Sequence, residues 1–149
     1  MSREIPIGAA ARASGVKVST IRFYEQIGLM PPMPRSVGNR RLYSAGDVRL
    51  LTFIRHAREL GFQVDAIRTL LALQDEPNQS CAVADEIARA HLVEVKQRIA
   101  SLEALREELE RMIRQCSHGR IADCRVIETL DDHGACGQAH AAPDTRLER

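Results

Sequence analysis

The chain has 149 residues and is 44% hydrophobic but only 3% aromatic, with three Phe, two Tyr and no Trp. That composition supports a helical core of Leu, Ile, Val and Ala and argues against a β-sandwich or barrel, which draw on aromatic and β-branched residues. The formal net charge of +1 conceals an asymmetry: residues 1–74 carry 11 Lys and Arg against 5 Asp and Glu, a net of +6, and residues 75–149 carry 10 against 15, a net of −5. A basic half points to a polyanionic partner, nucleic acid first.

No apolar run approaches the ~20 residues that span a bilayer. Met1-Ser2-Arg3-Glu4-Ile5 lacks the apolar segment of a secretory signal. The expectation is a cytoplasmic protein with no membrane association. In a reducing compartment its four cysteines suggest metal binding or redox chemistry rather than structural disulfides.

In chain order, residues 7–13 form a short Ala-rich helix that Ser14-Gly15-Val16 interrupts as a turn. Ser19 is placed to cap a second helix over residues 20–27, which Gly28 ends in a conformation that Gly tolerates. Two short helices joined by a Gly-containing turn are the helix-turn-helix pattern. Residues 30–43 contain Pro31, Pro32 and Pro34, which exclude a helix, and Gly38-Asn39, a turn dipeptide. This stretch reads as a β-hairpin wing. Ser44-Ala45-Gly46-Asp47 resembles a capping box. The helix behind it carries Val48, Leu51, Thr52, Ile54 and Ala57 on one face and closes at Gly61. A further helix over residues 64–73 turns Ile67, Leu70 and Leu71 inward. Residues 75–79 are a polar break.

Residues 80–115 form the longest helical pattern, free of Gly and Pro, with apolar positions at Ile87, Leu92, Val95, Ile99, Leu102, Leu105, Leu109, Met112 and Ile113. Such a rod is roughly 50 Å long, too long to bury its stripe on a domain of this size, so a helix from a second copy is the natural partner. The stripe slips one step over 102–109, so an antiparallel or irregular pairing is expected no less than a parallel zipper. After Cys116 come a Cys/His loop, a short apolar segment with Val126, Ile127 and Leu130, and a polar tail. The organisation expected is a mainly α chain. It comprises a winged helix-turn-helix over 1–75, a dimerisation helix over 76–115, a loop and short helix over 116–132, and a tail over 133–149.

Two clusters carry chemistry. In the second helix, Lys17, Ser19, Thr20 and Arg22 share one side, while Ile21 and Ile27 take the core side. Hydroxyls and Arg at the start of such a helix suit base edges and phosphates in the major groove. Arg35, Arg40, Arg41 and Tyr43 in the wing add phosphate contacts, which supply sequence-independent affinity. The second cluster is Cys116-Ser117-His118-Gly119-Arg120-Ile121-Ala122-Asp123-Cys124. Two thiols flank a polar loop long enough to bring both sulfurs to one ion at ~2.3 Å. His118 inside the loop is a further candidate ligand, and Cys136 and His140 have a metal-capable spacing in the tail. His133 is a weaker candidate still, and His91 and His56 read as structural. Cys81 opens the long helix, where the helix N-terminus favours the thiolate that binds metal. No catalytic Ser/His/Asp order, phosphate-binding Gly loop or carboxylate pair is present, so the chain is not read as an enzyme.

The run Ile21-Arg22-Phe23-Tyr24-Glu25 with Gly28-Leu29, then Asn39-Arg40-Arg41-Leu42-Tyr43, Ile54-Arg55 and Leu60-Gly61-Phe62 closely resembles the MerR family of bacterial regulators. The resemblance covers residues 5–73. It implies a winged helix-turn-helix, an antiparallel homodimer of long helices and a C-terminal effector region. It also implies an activator that bends and underwinds an overlong spacer in double-stranded promoter DNA so that RNA polymerase reads both elements. By the same resemblance Arg22, Tyr24, Arg40, Arg41 and Tyr43 are DNA-contacting positions, and Asn39 departs from the Tyr common in relatives. The C-terminal region is too short and too poor in aromatics for the drug-sensing members. The Cys116–Cys124 loop falls where metal-sensing members bind their ion. A Cys at position 81 accompanies sensors of divalent ions, whereas sensors of copper, silver and gold carry Ser. The loop spacing and Ala122-Asp123-Cys124-Arg125-Val126-Ile127-Glu128 resemble the copper branch. Because a third thiolate suits a +2 ion, the resemblance favours a divalent heavy-metal effector, Zn, Cd, Pb or Hg, on Cys81, Cys116 and Cys124. The alternatives are a monovalent copper, silver or gold sensor and a thiol redox sensor using a Cys116–Cys124 disulfide.

Overall fold

The computed structural model describes residues 3–116, 118–132 and 134. They fall into two units, one ending at Ala84 and the other beginning at Asp85. The polar break at 75–79 therefore stays with the first unit, as does the opening turn of the long helix.

The first unit begins with a two-residue strand, β1 (Ile5–Pro6), which leads directly into helix α1 (Ile7–Ser14). Pro6 fits the junction because its extended backbone and missing N–H cost nothing ahead of a first turn. The helix ends at Gly15 with φ 75°, whose N–H donates to the Ala11 carbonyl at 2.9 Å. Only glycine enters this left-handed region cheaply. The Ser14 hydroxyl donates back to the Ala10 carbonyl at 2.7 Å and accepts from the Val16 N–H, so the turn carries its own polar closure.

Helix α2 spans Val18–Gln26. It begins earlier than a Ser19 cap would place it. The Ile21 N–H donates to the Lys17 carbonyl at 2.9 Å, so Lys17 is the capping residue and Ser19 lies inside the first turn. At the other end, Gly28 takes φ 78°. There the Arg68 guanidinium donates to the Ile27 carbonyl at 2.9 Å, placing a cation on the helix's negative end.

The wing closes as the turn dipeptide requires. Ser36 N–H donates to the Arg40 carbonyl at 2.7 Å, Asn39 N–H to the Ser36 carbonyl at 2.9 Å, and Arg35 bridges Arg41 in antiparallel fashion. Asn39 holds the left-handed position at φ 61°, which Asn tolerates better than most residues. The returning arm forms β2 (Leu42–Tyr43), antiparallel to β1 with Ile5 opposite Tyr43 and Pro6 opposite Leu42. This pairing ties the wing to the start of the chain, and nothing in a two-residue strand containing proline announces it.

Helix α3 (Ala45–Glu59) begins with the expected capping box. Asp47 N–H donates to Ser44 Oγ at 3.2 Å, and Ser44 N–H donates to the Asp47 carboxylate at 2.8 Å. Helix α4 spans Val64–Gln74. Leu51, Ile54 and Ala57 of α3 and Ile67 of α4 are buried with Ala10, Val16, Ile21, Tyr24, Leu29, Met30 and Tyr43 in one core.

Helix α5 (Ala82–Gln115) is 34 residues long and passes from the first unit into the second. A single 3-10 turn (Ile121–Asp123) and helix α6 (Arg125–Asp131) follow it. Within the second unit Glu108, Met112 and Thr129 are buried, while Leu92, Ile99, Leu102, Leu109 and Ile113 are about half exposed or more. No helix among the described residues is long and apolar enough to cross a membrane.

A Cβ at position 15 would need a left-handed backbone and would collide with the Arg55 guanidinium. Gly15→Ala is expected to destabilise the first unit by roughly 1–2 kcal/mol, read as a fall in the thermal midpoint; an unchanged midpoint would contradict the strained turn.

Candidate nucleic-acid interface and thiol loop

The geometry of α2 sorts its side chains into two groups. Ile21 and Tyr24, three residues apart, point into the core. Lys17, Ser19 and Arg22 are exposed on the other side, and Thr20 is half-buried. Between this exposed side, the first turn of α1 and the wing lies a groove of about 440 Å³ lined by Arg12, Arg22, Arg35, Arg40 and Arg41. Five guanidiniums on one concavity create a strongly positive surface suited to phosphates, whose oxygens match the Arg fork. Of the wing arginines, Arg35 donates to the Asn39 carbonyl at 3.1 Å and so braces the turn, while Arg40 is exposed and Arg41 half-buried.

Two residues sit differently from their expected positions on the DNA face. Tyr24 is 7% exposed and Tyr43 fully buried, both with their rings in the core. The physical reason is period: Tyr24 follows Ile21 by one helical turn, and Tyr43 occupies the strand position opposite Ile5. The Tyr43 hydroxyl donates to the Glu25 carboxylate at 2.5 Å, and Arg41 Nε pairs with the same carboxylate at 2.8 Å. Burial pushes the Tyr43 hydroxyl's pKa well above the ordinary tyrosine value, and the Glu25 hydrogen bond and charge push it further. Burial likewise raises Tyr24, against a smaller opposing effect of Arg58. Both rings are held by the core, and the Tyr43 hydroxyl is engaged by Glu25.

Two functional candidates escape a reading of the sequence. Arg12, on the last turn of α1, lies against Gly8 and lines the groove, although in sequence it belongs to an Ala-rich core helix. Glu25 is an acid in an otherwise basic segment; the motif that contains it and that mismatch of sign were its sequence signals, and neither showed what it holds.

The thiols lie around α5. Cys81 is exposed and directly precedes the helix; Cys116 directly follows it and is half-buried, as is Cys124. All three are free thiols. Cys116 N–H donates to the Ile113 carbonyl at 3.2 Å, which continues the helical turn to the edge of the loop. His118 is exposed and holds a left-handed backbone at φ 55°. Cys124 closes the 3-10 turn, its N–H donating to the Ile121 carbonyl at 3.0 Å, and its own carbonyl accepts from Glu128 N–H to start α6. Among the described residues no three His, Cys, Asp or Glu side chains of one chain stand together as a metal site. Cys136 and His140, proposed as additional ligands, lie outside the described residues, as does His133.

A basic, concave helix-turn-helix with a bridged wing defines a DNA-binding module of the winged helix-turn-helix class. Comparison with known proteins makes the assignment particular. The family model described as "MerR HTH family regulatory protein" matches residues 5–74, and that described as "MerR, DNA binding" matches residues 48–112. The chain belongs to the MerR family of transcriptional regulators. It is 37% identical to the HTH-type transcriptional regulator ZntR of Escherichia coli K12, over 88% of this chain and 94% of that protein. It is 35% identical to the regulator HmrR of Sinorhizobium medicae, over 92% and 93%. Among solved structures it is similar to the transcription regulator PbrR691 of Ralstonia metallidurans in complex with lead(II), with 35% identity, a TM-score of 0.72, and coverage of 85% of this chain and 98% of that one. Regulators of this family are DNA-binding proteins and not enzymes.

If the groove binds phosphates, Arg40→Ala and Arg12→Ala should each weaken binding to every duplex alike. Each should also flatten the dependence of log affinity on log salt by roughly one contact's worth. Titration against one duplex at four or five salt concentrations checks this, and an unchanged slope for Arg12→Ala would remove it from the interface.

Proposed function

We propose that this chain is a metal-responsive transcriptional regulator that binds promoter DNA as a homodimer and answers to a divalent heavy-metal ion held by Cys81, Cys116 and Cys124. The observation that carries the proposal is the placement of free thiols at the two ends of α5, Cys81 directly before it and Cys116 directly after it. In an antiparallel pair of such helices the start of one lies beside the end of the other. Cys81 of the partner subunit then joins Cys116 and Cys124, so that a three-thiolate site needs two copies of the chain. The half-exposed Leu92, Ile99, Leu102, Leu109 and Ile113 supply the apolar stripe for that pairing.

Thiolates fit soft and borderline ions, and three of them balance a +2 charge with negative charge to spare. The names of similar proteins agree in kind: two from Rhizobium meliloti are called heavy metal-dependent transcription regulators, and one relative was solved with lead(II). Among Zn, Cd, Pb and Hg, three sulfurs alone favour the softer ions, and nitrogen from His118 favours Zn. Effector binding then distorts a promoter spacer too long for RNA polymerase, so that activation uses DNA deformation as well as base contacts.

Cys116→Ser or Cys124→Ser should abolish metal-dependent transcription while leaving operator affinity within about twofold, because the DNA-contacting residues lie in the other unit. Loss of operator binding by either variant would refute that division. Cys81→Ser should weaken the response to Zn, Cd, Pb and Hg more than any response to Cu(I) or Ag(I). A reporter panel with all six ions checks this. An undiminished divalent response would take Cys81 out of the site and remove the main reason for the three-thiolate assignment, whereas a response confined to Cu(I) and Ag(I) in the wild type would favour the monovalent reading, which the spacing of Cys116 and Cys124 also suits. A response to oxidant with none to metal under reducing conditions would favour the redox reading.

A further inference from the structure

Glu25 places a carboxylate behind a groove whose described lining residues include five arginines and no acid. On a surface that binds phosphates, such a charge is a cost: it repels the ligand and lowers affinity for every duplex. Its place in the structure shows what it holds. The Glu25 side chain is 11% exposed and pairs with Arg41 Nε at 2.8 Å. Its second interaction is with the Tyr43 hydroxyl. Tyr43 is anchored twice over, by complete burial in the core and by its pairing with Ile5 in the sheet. Arg41 engages Glu25 through Nε and is also one of the groove's lining residues, with Arg22, Arg35 and Arg40. One carboxylate on α2 thus grips both a buried residue and a groove residue of the returning wing arm.

We infer that Glu25 is a positioning residue that fixes the wing relative to α2, and thereby sets how well the protein discriminates its operator from other DNA, at some cost in affinity for DNA in general. The helix presents groups to base edges, and the wing presents groups to the backbone. Sequence is read well only when phosphate anchors hold the base-reading helix in one register. A wing free to shift would still supply positive charge, so binding to arbitrary DNA would survive while discrimination fell. Arg41, on this reading, is an oriented anchor whose direction Glu25 dictates.

The inference rests on the DNA-binding face and is independent of the thiol loop, so failure of the metal panel leaves it standing. The test uses the full-length chain, an operator enriched from a random duplex library by the wild-type protein, and a random-sequence duplex of equal length. Glu25→Gln removes the charge and keeps the shape; Tyr43→Phe keeps the ring in the core and removes only the hydroxyl. For Glu25→Gln, affinity for the random duplex should hold or rise while operator affinity falls, lowering the ratio by about tenfold, the size of one mismatched base pair. Tyr43→Phe should move the ratio the same way by less. Equal tightening on both duplexes would show that Glu25 is only an opposing charge and would overturn the inference. Proportional weakening on both would reduce Glu25 to a general stabiliser and overturn it as well. If Glu25→Gln does not fold, Tyr43→Phe decides: a ratio equal to wild type rejects the positioning role, and a lowered one supports it. A wild-type chain that enriched no sequence would instead refute the DNA-binding reading and the inference with it.

Discussion

The first unit depends on a core to which each of its first four helices and the returning strand contribute only one to three buried side chains. α1 gives Ala10, α2 gives Ile21 and Tyr24, β2 gives Tyr43, α3 gives Leu51, Ile54 and Ala57, and α4 gives Ile67. With so few apolar contributions, each element has only one orientation that buries them. Fully burying an aliphatic side chain is worth roughly 1.5–3 kcal/mol, so turning α2 by half a revolution would forfeit Ile21 and Tyr24 and place Arg22 in the interior. The basic face is therefore a consequence of the core: once Ile21 and Tyr24 point inward, Lys17, Ser19 and Arg22 must point out. The wing has no such helical constraint, and its position comes from a short strand pair and from a single carboxylate that meets Tyr43 and Arg41.

The second unit is organised on the opposite principle. Its long helix buries little of its own apolar stripe; Leu92, Leu102 and Leu109 are all more than half exposed. A single helix cannot bury its own stripe, which is why the proposed pairing takes its second helix from another copy. The helix is continuous over 34 residues although, among the described residues of this unit, only Glu108, Met112 and Thr129 are buried. The chain also separates tasks by charge: the basic part carries the DNA face, and the acidic part carries the helix and its terminal thiols.

Much of this was legible in the sequence because the signals were local. The capping box at Ser44 and Asp47, the stops at Gly28 and Gly61, the Gly38-Asn39 turn and the polar break after Gln74 each act within a few residues, and the structure uses all of them. The start of α2 was less legible. A hydroxyl residue at 19 suggested a cap, but the backbone had already closed its first turn on Lys17, for which no side chain was needed. The strand β1 gave no signal, since two residues including a proline become a strand only when Leu42 and Tyr43 arrive beside them.

The sequence by itself determined the class of this protein. The spacing of apolar residues, the basic wing and the motif around Arg22 and Glu25 specify a winged helix-turn-helix, and the spacing of Cys81 and Cys116 puts a thiol at each end of a long helix. Tertiary structure decided which polar side chains line the basic groove and which face inward. It buried the rings of Tyr24 and Tyr43, brought Arg12 from an Ala-rich helix to the groove, and drew Glu25 to the wing. The reason is that local signals act through the backbone over a turn or two, whereas the choice between a groove contact and a core contact depends on residues far apart in the chain, such as Glu25 and Tyr43, which meet only after folding.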